Sequence, residues 1–407
     1  MPSNVLIIGA GVVGASLALA LAEQGLVVTV IDKEDGVALG ASKANGAQLS
    51  YSYTDAMASL EMLKGLPKLM CGLDPAFRFM PKIDLDFLRW GIMFLQNCSS
   101  SRSDRNTLAV LEVALRSSAI MNQWCEKYGF DFDHAAAKKL HLYDNRKAFE
   151  KAEERVLLKN QFGVNQSIIS SEHLLDIEPA LEYMNAELLG AVYSPNDCVG
   201  DASKFSRAAL DKAMNLTGGE LILNEEVKGF IKDKQRYCGV KTNSGDIEAD
   251  CVVLCAGYQT RFLVRSLGQY IPLAPVAGYS LTYPVTEKTP NISLTDTTNK
   301  MVLCRVGERV RVAGMADVGR LGDTLPKRRI QTLKKILQHR FPLSADYNHE
   351  GQPWIGVRPM TPNSRPIIQQ FRSSNLFLNC GHGMLGWTLA AGAADLMADK
   401  IAKMLRA

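Results

Sequence analysis

The first thirty-two residues constrain the fold of this chain more than any other segment. A short apolar, β-branched run at 5–8 leads into the pattern GxGxxG at 9–14. Residues 15–24 have the composition of a helix, and a second apolar run at 27–31 ends in Asp32. Strand, glycine turn, helix, strand and acid therefore follow one another as in a dinucleotide-binding βαβ unit.

Each glycine of the turn has its own structural role. Gly9 permits the tight turn, Gly11 lets the backbone approach a pyrophosphate, and Gly14 lets helix and strand pack closely. Free amides at the helix N-terminus bind the phosphates. Asp32 can accept both hydroxyls of an adenosine ribose and would repel a 2′-phosphate, which disfavours NADP. The motif predicts dinucleotide binding and leaves NAD and FAD open.

Composition and charge exclude several classes of protein. The chain has 407 residues, 47% hydrophobic and 22% charged, as in a globular protein of two domains or of one domain with a large insertion. A net charge of +4 with dispersed lysine and arginine argues against nucleic acid. The nine cysteines contain no CxxC pair and the six histidines are scattered, so neither a disulfide framework nor a metal site is expected.

The same features indicate a location. The apolar start lacks the basic flank of a secretory signal, and no run is long and glycine-poor enough to span a bilayer. We therefore expect a cytoplasmic protein with reduced thiols. The segment FLRWGIMFLQ at 87–96 is amphipathic, and a helix packed on the core is favoured over one that rests on a membrane surface.

Later segments favour FAD over NAD. Residues 33–50 are rich in Gly, Ala, Ser and Asn and could bring backbone amides to a ligand that extends past the pyrophosphate, although a plain surface loop has the same composition. Residues 251–255 are predicted to form a buried strand that ends in Ala256-Gly257, where backbone can approach a nucleotide. Residues 221–245 alternate as hairpin strands with an Asn-Ser-Gly turn.

Blocks along the whole chain resemble one family. They are the GxGxxG turn with Asp32, SKANGAQLS at 42–50, IEPAL at 177–181, YSPNDCVGD at 193–201, GYSLT at 278–282, RVRVAGMAD at 309–317, WIGVRPMTPNSRP at 354–366 and CGHGMLGWT at 380–388. This set resembles the FAD-dependent oxidoreductases of the D-amino-acid oxidase superfamily and, within it, the bacterial D-amino acid dehydrogenases. The blocks GHGxLGWT and GxRPMTP are specific, whereas the glycine turn alone is not.

The chain departs from the family pattern at four places. These are Asn45-Gly46-Ala47-Gln48 for the common Asn-Ala-Gly-Gln, Ala277 for a frequent lysine, Asn363 for aspartate, and Ala-Gly-Ala-Ala at 391–394 for Gly-Ser-Gly. None of these differences argues against the fold. The change at Ala277 weakens any inference about the substrate side chain.

The resemblance implies non-covalent FAD, because no cysteine stands in WIGVRPMTPN, where some sarcosine-oxidase relatives attach their flavin. In such relatives the glycine-rich turn at 381–386 lies against the flavin. The helix that follows directs its positive end at the pyrimidine edge, which favours reduction. The implied cofactor-binding residues are Gly9, Ala10, Gly11, Val12, Val13, Gly14, Asp32, Lys33, Ser42, Asn45, Gly46, Ala47, Gln48, Val227, Ala256, Gly257, Gly383, Met384, Leu385, Gly386, Trp387 and Thr388.

The resemblance also implies a site for an α-amino acid. Arg358 matches the arginine that holds the substrate carboxylate in related oxidases, and pairing with an internal carboxylate is the alternative. Tyr279 matches a tyrosine near the substrate in some relatives, and it either completes the carboxylate site or packs. His382 is a candidate catalytic residue or a turn histidine with satisfied bonds. Arg309 and Arg311 alternate on one strand and are expected to be solvated.

The predicted fold is α/β, with a Rossmann-like FAD-binding domain and a substrate domain that combines helices with a mixed or antiparallel sheet, as in D-amino-acid oxidase and glutathione reductase. The FAD-binding domain is predicted to be discontinuous and to comprise residues 1–55, 186–265 and 355–407. The substrate domain would comprise residues 56–185 and 266–354.

The implied reaction is oxidative deamination of a D-amino acid. A hydride moves from Cα to flavin N5, the imino acid hydrolyses to a 2-oxo acid and ammonia, and the electrons pass to a quinone or another acceptor. The alternatives are an oxidase of the same fold that takes glycine, D-proline, hydroxyproline or N-methyl amines with O₂, and a flavoprotein subunit without turnover. A quinone acceptor would bring the chain to the inner face of the cytoplasmic membrane as a peripheral protein. The oligomeric state stays open.

Overall fold

The computed structural model describes residues 3–70, 72–80, 84–234, 236–322, 324–372 and 374–406. Its strands are β1 (Asn4–Ile8), β2 (Val27–Ile31), β3 (Gln48–Leu49), β4 (Phe77–Phe79), β5 (Lys139–Tyr143), β6 (Ser167–Ser170), β7 (Gly190–Ser194), β8 (Cys198–Val199), β9 (Glu220–Ile222), β10 (Val227–Asp233), β11 (Arg236–Thr242), β12 (Asp246–Glu248), β13 (Cys251–Leu254), β14 (Ala274–Pro284), β15 (Ser293–Asp296), β16 (Met301–Val306), β17 (Arg309–Val318), β18 (Gln352–Met360), β19 (Ile367–Gln370) and β20 (Leu376–Cys380). Its α-helices are α1 (Val12–Glu23), α2 (Leu60–Met70), α3 (Leu85–Gln96), α4 (Ser100–Tyr128), α5 (Arg146–Asn160), α6 (Leu174–Ile177), α7 (Ala202–Thr217), α8 (Thr260–Ser266), α9 (Lys327–Arg340) and α10 (Gly386–Arg406).

The N-terminal βαβ unit forms the centre of a six-stranded sheet. Its strand order is β19-β20-β13-β1-β2-β9, and every pairing except the antiparallel β19–β20 is parallel. Strands β1 and β2 consist almost entirely of valine, leucine and isoleucine because both of their faces are covered. The strands predicted at 5–8, 27–31 and 251–255 are confirmed, and the helix begins at Val12, earlier than predicted.

Helices cover one face of this sheet, and a small sheet covers the other. On the first face, α1, α7 and α10 share one hydrophobic core with β1, β2 and β13. Helix α1 is apolar on all sides because α7 and α10 enclose it. On the second face lie α8 and the antiparallel sheet β10-β11-β12, which confirms the hairpin predicted within 221–245.

A larger, mostly antiparallel sheet holds the remaining chemistry. Its main path is β18-β14-β17-β16-β15-β5-β7-β6, with β4 added beside β17. Side chains alternate between its two faces. One face packs on α9 through a core that includes Tyr279, Leu281 and Leu333. The opposite face carries Ser280, Arg311 and Lys139, whose side chains contact the loop at 44–50.

The predicted division into two domains stays a prediction. Strands β7 and β18 lie near its boundaries, and both pair within the larger sheet.

Helix α3 contains the segment 87–96 and is amphipathic, as its sequence predicts. One side packs on the core through Phe87, Trp90 and Phe94, and Trp90 Nε1 donates to Met360 O at 2.8 Å. The packed helix favoured by the sequence is confirmed for this side. The other side exposes the four aliphatic residues Leu85, Leu88, Ile92 and Leu95. In the part of the chain that the structure describes, no helix combines the length and the apolar character needed to cross a bilayer.

Candidate active site

The turn between β1 and α1 has a geometry that requires glycine. Gly9 has a φ of 113°, and a Cβ on it would lie 2.6 Å from Cys255 O. A Cβ on Gly14 would lie 1.9 Å from Gly9 O, so helix and strand could not pack this closely with any other residue. A Cβ on Gly11 would meet only Ser42 Oγ, at 3.5 Å. The turn therefore leaves room in front of its amides for a ligand.

Asp32 lies where the sequence predicts it, at the end of β2 beside this turn. Its Oδ2 accepts a hydrogen bond from Ala10 N at 2.7 Å, and its Oδ1 accepts one from Glu34 N at 3.0 Å. Burial raises the pKa of Asp32, and the two amide bonds oppose that rise. A carboxylate has about four acceptor positions, so both oxygens can still accept a ribose hydroxyl.

Other predicted cofactor residues lie around the same turn. Ser42 Oγ accepts from Val12 N at 3.1 Å and so occupies the start of α1. Residues 224–225 donate backbone hydrogen bonds to 32–34, which brings Val227 to this side of the sheet. The exposed side chain of Lys33 pairs with the neighbouring Glu34.

Five neighbouring strands of the larger sheet each send one side chain to the loop at 44–50, which contains the predicted flavin residues Asn45, Gly46, Ala47 and Gln48. Along β14, β17, β16, β15 and β5, the pairs are Ser280 Oγ–Ala44 O at 2.6 Å, Arg311 Nη1–Asn45 O at 3.1 Å, Cys304 Sγ–Gly46 O at 3.2 Å, Ser293 Oγ–Gln48 Nε2 at 2.7 Å and Lys139 Nζ–Ser50 Oγ at 2.6 Å. Ala47 has a φ of 57°, at the position where the family commonly has glycine. The loop is thus attached directly to the sheet that would hold the substrate.

The expectation that Arg311 is solvated was wrong. Its side chain is buried, because the polar face of β17 is covered by the loop and does not face water. Arg309 remains partly exposed and pairs with Asp133 and Asp201.

The glycine-rich turn at 381–386 follows β20 and precedes α10. Gly381 and Gly383 have positive φ angles of 74° and 56°, and a backbone bridge joins Met360 to His382. His382 is buried, and burial lowers its pKa to about 4, so the imidazole is neutral at neutral pH. Within the described residues its Nε2 has no hydrogen-bond partner.

Three further residues predicted near the flavin begin or precede α10. Met384 is exposed, whereas Trp387 packs against Phe205 and donates from Nε1 to Gly200 O at 3.1 Å. Thr388 Oγ1 accepts from Ser50 N at 3.0 Å. The first turn of α10 is therefore bonded to the same loop that the five strands hold.

Arg358 lies on the face of β18 that carries Ser280 and Arg311 on the neighbouring strands. Its guanidinium lies over Gly278, where a Cβ would be 2.2 Å away. Its one hydrogen bond among the described residues is a long contact of 3.5 Å to Met315 O, and no described carboxylate pairs with it. Desolvation lowers the pKa of Arg358 to about 10, so the guanidinium stays protonated at neutral pH. The internal ion pair considered as the alternative is not found among the described residues.

The structure does not bring Tyr279 to this site. Tyr279 is one residue away from Gly278 on β14, so its side chain points to the opposite face, into the core with α9. Its hydroxyl donates to Asp317 Oδ2 at 2.6 Å, and Asp317 pairs with Arg329 at 2.7 Å. Burial and Asp317 raise the pKa of Tyr279, so the hydroxyl stays protonated. We interpret Tyr279 as part of this buried group.

We expect Tyr279→Phe to lower the free energy of unfolding by about 1–2 kcal/mol, because Asp317 loses a buried donor. Turnover should stay within about twofold of the wild type. Tyr283→Phe is the matched control, since Tyr283 lies on the same face of β14 and its buried hydroxyl has no partner among the described residues. Urea unfolding measures the stability, and steady-state kinetics measure kcat/KM. A tenfold loss of kcat/KM in Tyr279→Phe would contradict this interpretation and indicate that Tyr279 contacts the substrate.

The residues present fit a dinucleotide that ends in a flavin. The amides that begin α1, the carboxylate of Asp32 and a glycine-lined turn lie at the carboxyl ends of β1, β2 and β20, where they would suit a pyrophosphate, a ribose and a flavin. Buried polar groups nearby also lack partners among the described residues, namely both amide atoms of Asn379 and Nε2 of His382. Gly11 to Val13 and Ser42 would hold the pyrophosphate, Asp32 the ribose, and the loop at 44–50 with the turn at 381–386 the flavin.

Comparison with known proteins decides the family. The family model of the FAD dependent oxidoreductases matches residues 4–400. The chain belongs to this family. Two relatives of the chain are "D-amino acid dehydrogenase 2" of Ralstonia nicotianae and "D-amino acid dehydrogenase" of Paramagnetospirillum magneticum. The first is 35% identical over 98% of this chain and 96% of that protein, and the second is 36% identical over 98% and 94%.

Two solved structures share the fold. Glycine oxidase from Bacillus cereus superposes with a TM-score of 0.76 at 20% identity, over 98% of this chain and 95% of that one. L-Proline dehydrogenase from P. horikoshii gives 0.75 at 21% identity, over 99% and 94%. The predicted α/β class and FAD dependence are confirmed. Non-covalent attachment and the individual site residues remain predictions.

Sequence reasoning missed two buried residues of this region. Lys139 was not singled out, because KLHLY alternates like any half-exposed strand. Asn379 lies inside an apolar strand, LFLNC, and a polar residue in such a run was the available signal.

Proposed function

We propose that this protein is a D-amino acid dehydrogenase. It oxidises the Cα–N bond of a D-amino acid to an imino acid, which water converts to a 2-oxo acid and ammonia. FAD supplies the acceptor for the two electrons and the hydrogen that leave Cα. The preference for D-amino acids rests on the names of the relatives at 35–36% identity.

Arg358 is the observation that carries this proposal. A half-buried guanidinium that has no carboxylate partner among the described residues, on the face of the sheet that contacts the flavin loop, is matched by an anionic ligand. A planar fork of donors fits the two oxygens of an α-carboxylate. Held there, an amino acid would present Cα and its amine at a constant distance from Arg358, as orientation-based catalysis requires.

His382 does not act as the proton acceptor at neutral pH in this proposal. Its pKa of about 4 means that it binds a proton weakly. The substrate amine must therefore lose its proton before or during binding, and Arg358 orients the neutral amine.

The proposal is tested by assaying purified holoenzyme with D-amino acids, their L enantiomers, glycine, D-proline and sarcosine. Ammonia and 2-oxo acid are measured once with an artificial electron acceptor under nitrogen and once with O₂ alone. We expect products from D-amino acids with the artificial acceptor and little peroxide with O₂. Turnover of glycine or sarcosine with stoichiometric peroxide would replace the proposal by an oxidase, and no turnover of any compound would overturn it.

We also propose that the electrons go to a quinone and that α3 contacts the inner face of the cytoplasmic membrane. Its exposed stripe, defined as Leu85, Leu88, Ile92 and Leu95, lies on one side of the helix. Helix α2 shares a core with α3 and adds the exposed side chains of Lys64 and Lys68, and α3 adds Arg89. An apolar stripe flanked by cations is complementary to a surface of anionic lipid.

We expect Leu88→Glu with Ile92→Glu to weaken binding to anionic phospholipid vesicles by about tenfold or more, because two carboxylates would enter the interface. The matched control is Leu157→Glu, an exposed leucine on α5 outside the stripe. Vesicle co-sedimentation measures the binding. Equal binding by the double variant and the wild type, or no binding by the wild type, would overturn the membrane contact.

A further inference from the structure

Lys139 is a buried cation that the proposed reaction leaves without a role. It lies on β5 with 2% of its surface exposed. Its Nζ donates to Ser50 Oγ at 2.6 Å and lies 5.1 Å from the centre of the Tyr53 ring. No described carboxylate forms an ion pair with it. Burying an ammonium with so few acceptors is costly, so a neutral side chain would be the more stable choice unless the charge has a use.

Ser50 connects this ammonium to the predicted flavin site. Ser50 N donates to Thr388 Oγ1 at 3.0 Å, and Thr388 Oγ1 donates to Gln48 O at 3.4 Å. Gln48 and Thr388 are both predicted to bind FAD, from the loop at 44–50 and from the first turn of α10. Lys139 therefore bonds directly to the last residue of the loop at 44–50, and Ser50 links it to the first turn of α10.

Two buried cations are bonded to this loop, Arg311 at Asn45 O and Lys139 at Ser50 Oγ, and only Lys139 bonds to the residue that contacts Thr388. Lys159, on α5, donates instead to Ser52 O and pairs with Asp55 at 3.1 Å. Burial lowers the pKa of Lys139 to about 8, and Asp197 opposes that shift. The remaining neighbours that titrate are Cys304 on β16, His141 on β5, and Tyr53, whose ring centre lies 4.2 Å from that of His141.

Loss of the Lys139 charge changes the local field in one direction only. Burial raises the pKa of Asp197, whose Oδ1 accepts from Ser52 N at 3.1 Å. If Asp197 is ionised, a neutral residue at 139 leaves Lys159 as its remaining cation, and if Asp197 is protonated, a positive charge is lost. The surroundings of Ser50 become more negative in both cases.

We propose that Lys139 is a positioning residue for FAD, whose ammonium holds Ser50 against Thr388 and places positive charge beside the pyrimidine edge of the flavin. This inference rests on the proposed function for its cofactor site. Reduction adds negative charge to a flavin, so a nearby cation favours it. Lys139 would act on the same edge as the N-terminus of α10.

The test is the midpoint potential of the bound flavin, measured by dithionite titration against a reference dye so that no amino acid is needed. We expect Lys139→Met to shift the potential to more negative values by about 30 mV, which is a tenfold fall in the ratio of reduced to oxidised flavin at a given dye potential. Ser50→Ala should shift it in the same direction by less. Lys139→Arg should restore most of the wild-type value, because it restores the charge.

Lys159→Met is the matched control. It removes a second buried lysine from the same cluster, 5.6 Å from the same Tyr53 ring, but one that does not contact Ser50. We expect it to lower stability without moving the potential. An unchanged potential in FAD-bound Lys139→Met, or an equal shift in Lys159→Met, would overturn the inference. The two proposals can fail separately. If only the Lys139 and Ser50 variants shift the potential while the wild type turns over no amino acid, the role of Lys139 is supported and the proposed function is contradicted.

Discussion

Arg358→Met is expected to lower kcat/KM for D-amino acids by about 1,000-fold, equivalent to about 4 kcal/mol, while FAD remains bound. The guanidinium is half-buried and has no carboxylate partner among the described residues, so its charge and donors are free for a ligand. Methionine keeps a long side chain of similar volume and removes the positive charge and the hydrogen-bond donors. Anaerobic reduction of the flavin at several substrate concentrations measures the effect, and it should appear in KM as well as in kcat.

Two further variants locate the cause of that loss. Arg358→Lys keeps the positive charge and loses the planar pair of donors, so its kcat/KM should lie between those of the wild type and Arg358→Met. Arg365→Met makes the same replacement in the same sequence block, at a side chain that bonds to Arg105 O away from the loop. Activity of Arg358→Met within threefold of the wild type, or an equal loss in Arg365→Met, would contradict the assignment of Arg358 to the substrate carboxylate.

Gly14→Ala is expected to abolish FAD binding and to lower the free energy of unfolding by about 3 kcal/mol or more. Its Cβ would lie 1.9 Å from Gly9 O, and backbone cannot yield as a flexible side chain can. Helix α1 would have to move away from β1, and the amides that face the pyrophosphate would move with it. Flavin content after purification and urea unfolding measure the two effects.

The matched control for Gly14 is Gly65, which is also a glycine within a helix. A Cβ on Gly65 meets no atom within 4 Å, so Gly65→Ala should be neutral or stabilising by up to about 1 kcal/mol. Normal flavin content in Gly14→Ala would show that the close contact between α1 and β1 is not needed for the cofactor site.

The cofactor end of the site could be predicted because its signals are local. Strand β1, the glycines and Asp32 stand within one βαβ unit, and the geometry there follows from the residue types. Arg358 could be predicted as a charged residue inside an apolar block, with the resemblance supplying its role. For the cofactor end, neighbours in the sequence are also neighbours in space.

The rest depended on which face of a strand meets which distant segment. RVRV at 309–312 and KLHLY at 139–143 alternate, and alternation normally indicates one solvated face. Here the polar faces are covered by the loop at 44–50, which lies far away in the chain, so Arg311 and Lys139 are buried. The sequence could not place Tyr279 for the same reason. A shift of one residue along a strand moves a side chain to the opposite face of the sheet.

The most direct test of the central claim is anaerobic mixing of FAD-loaded enzyme with D-alanine and, separately, L-alanine, followed by the visible absorbance of the flavin. We predict that D-alanine bleaches the flavin within the mixing experiment and that L-alanine does not, with Arg358→Met unaffected by either. Air admitted afterwards should restore the oxidised spectrum only slowly. A flavin that is bound yet reduced by neither enantiomer, nor by any other D-amino acid, would contradict the account.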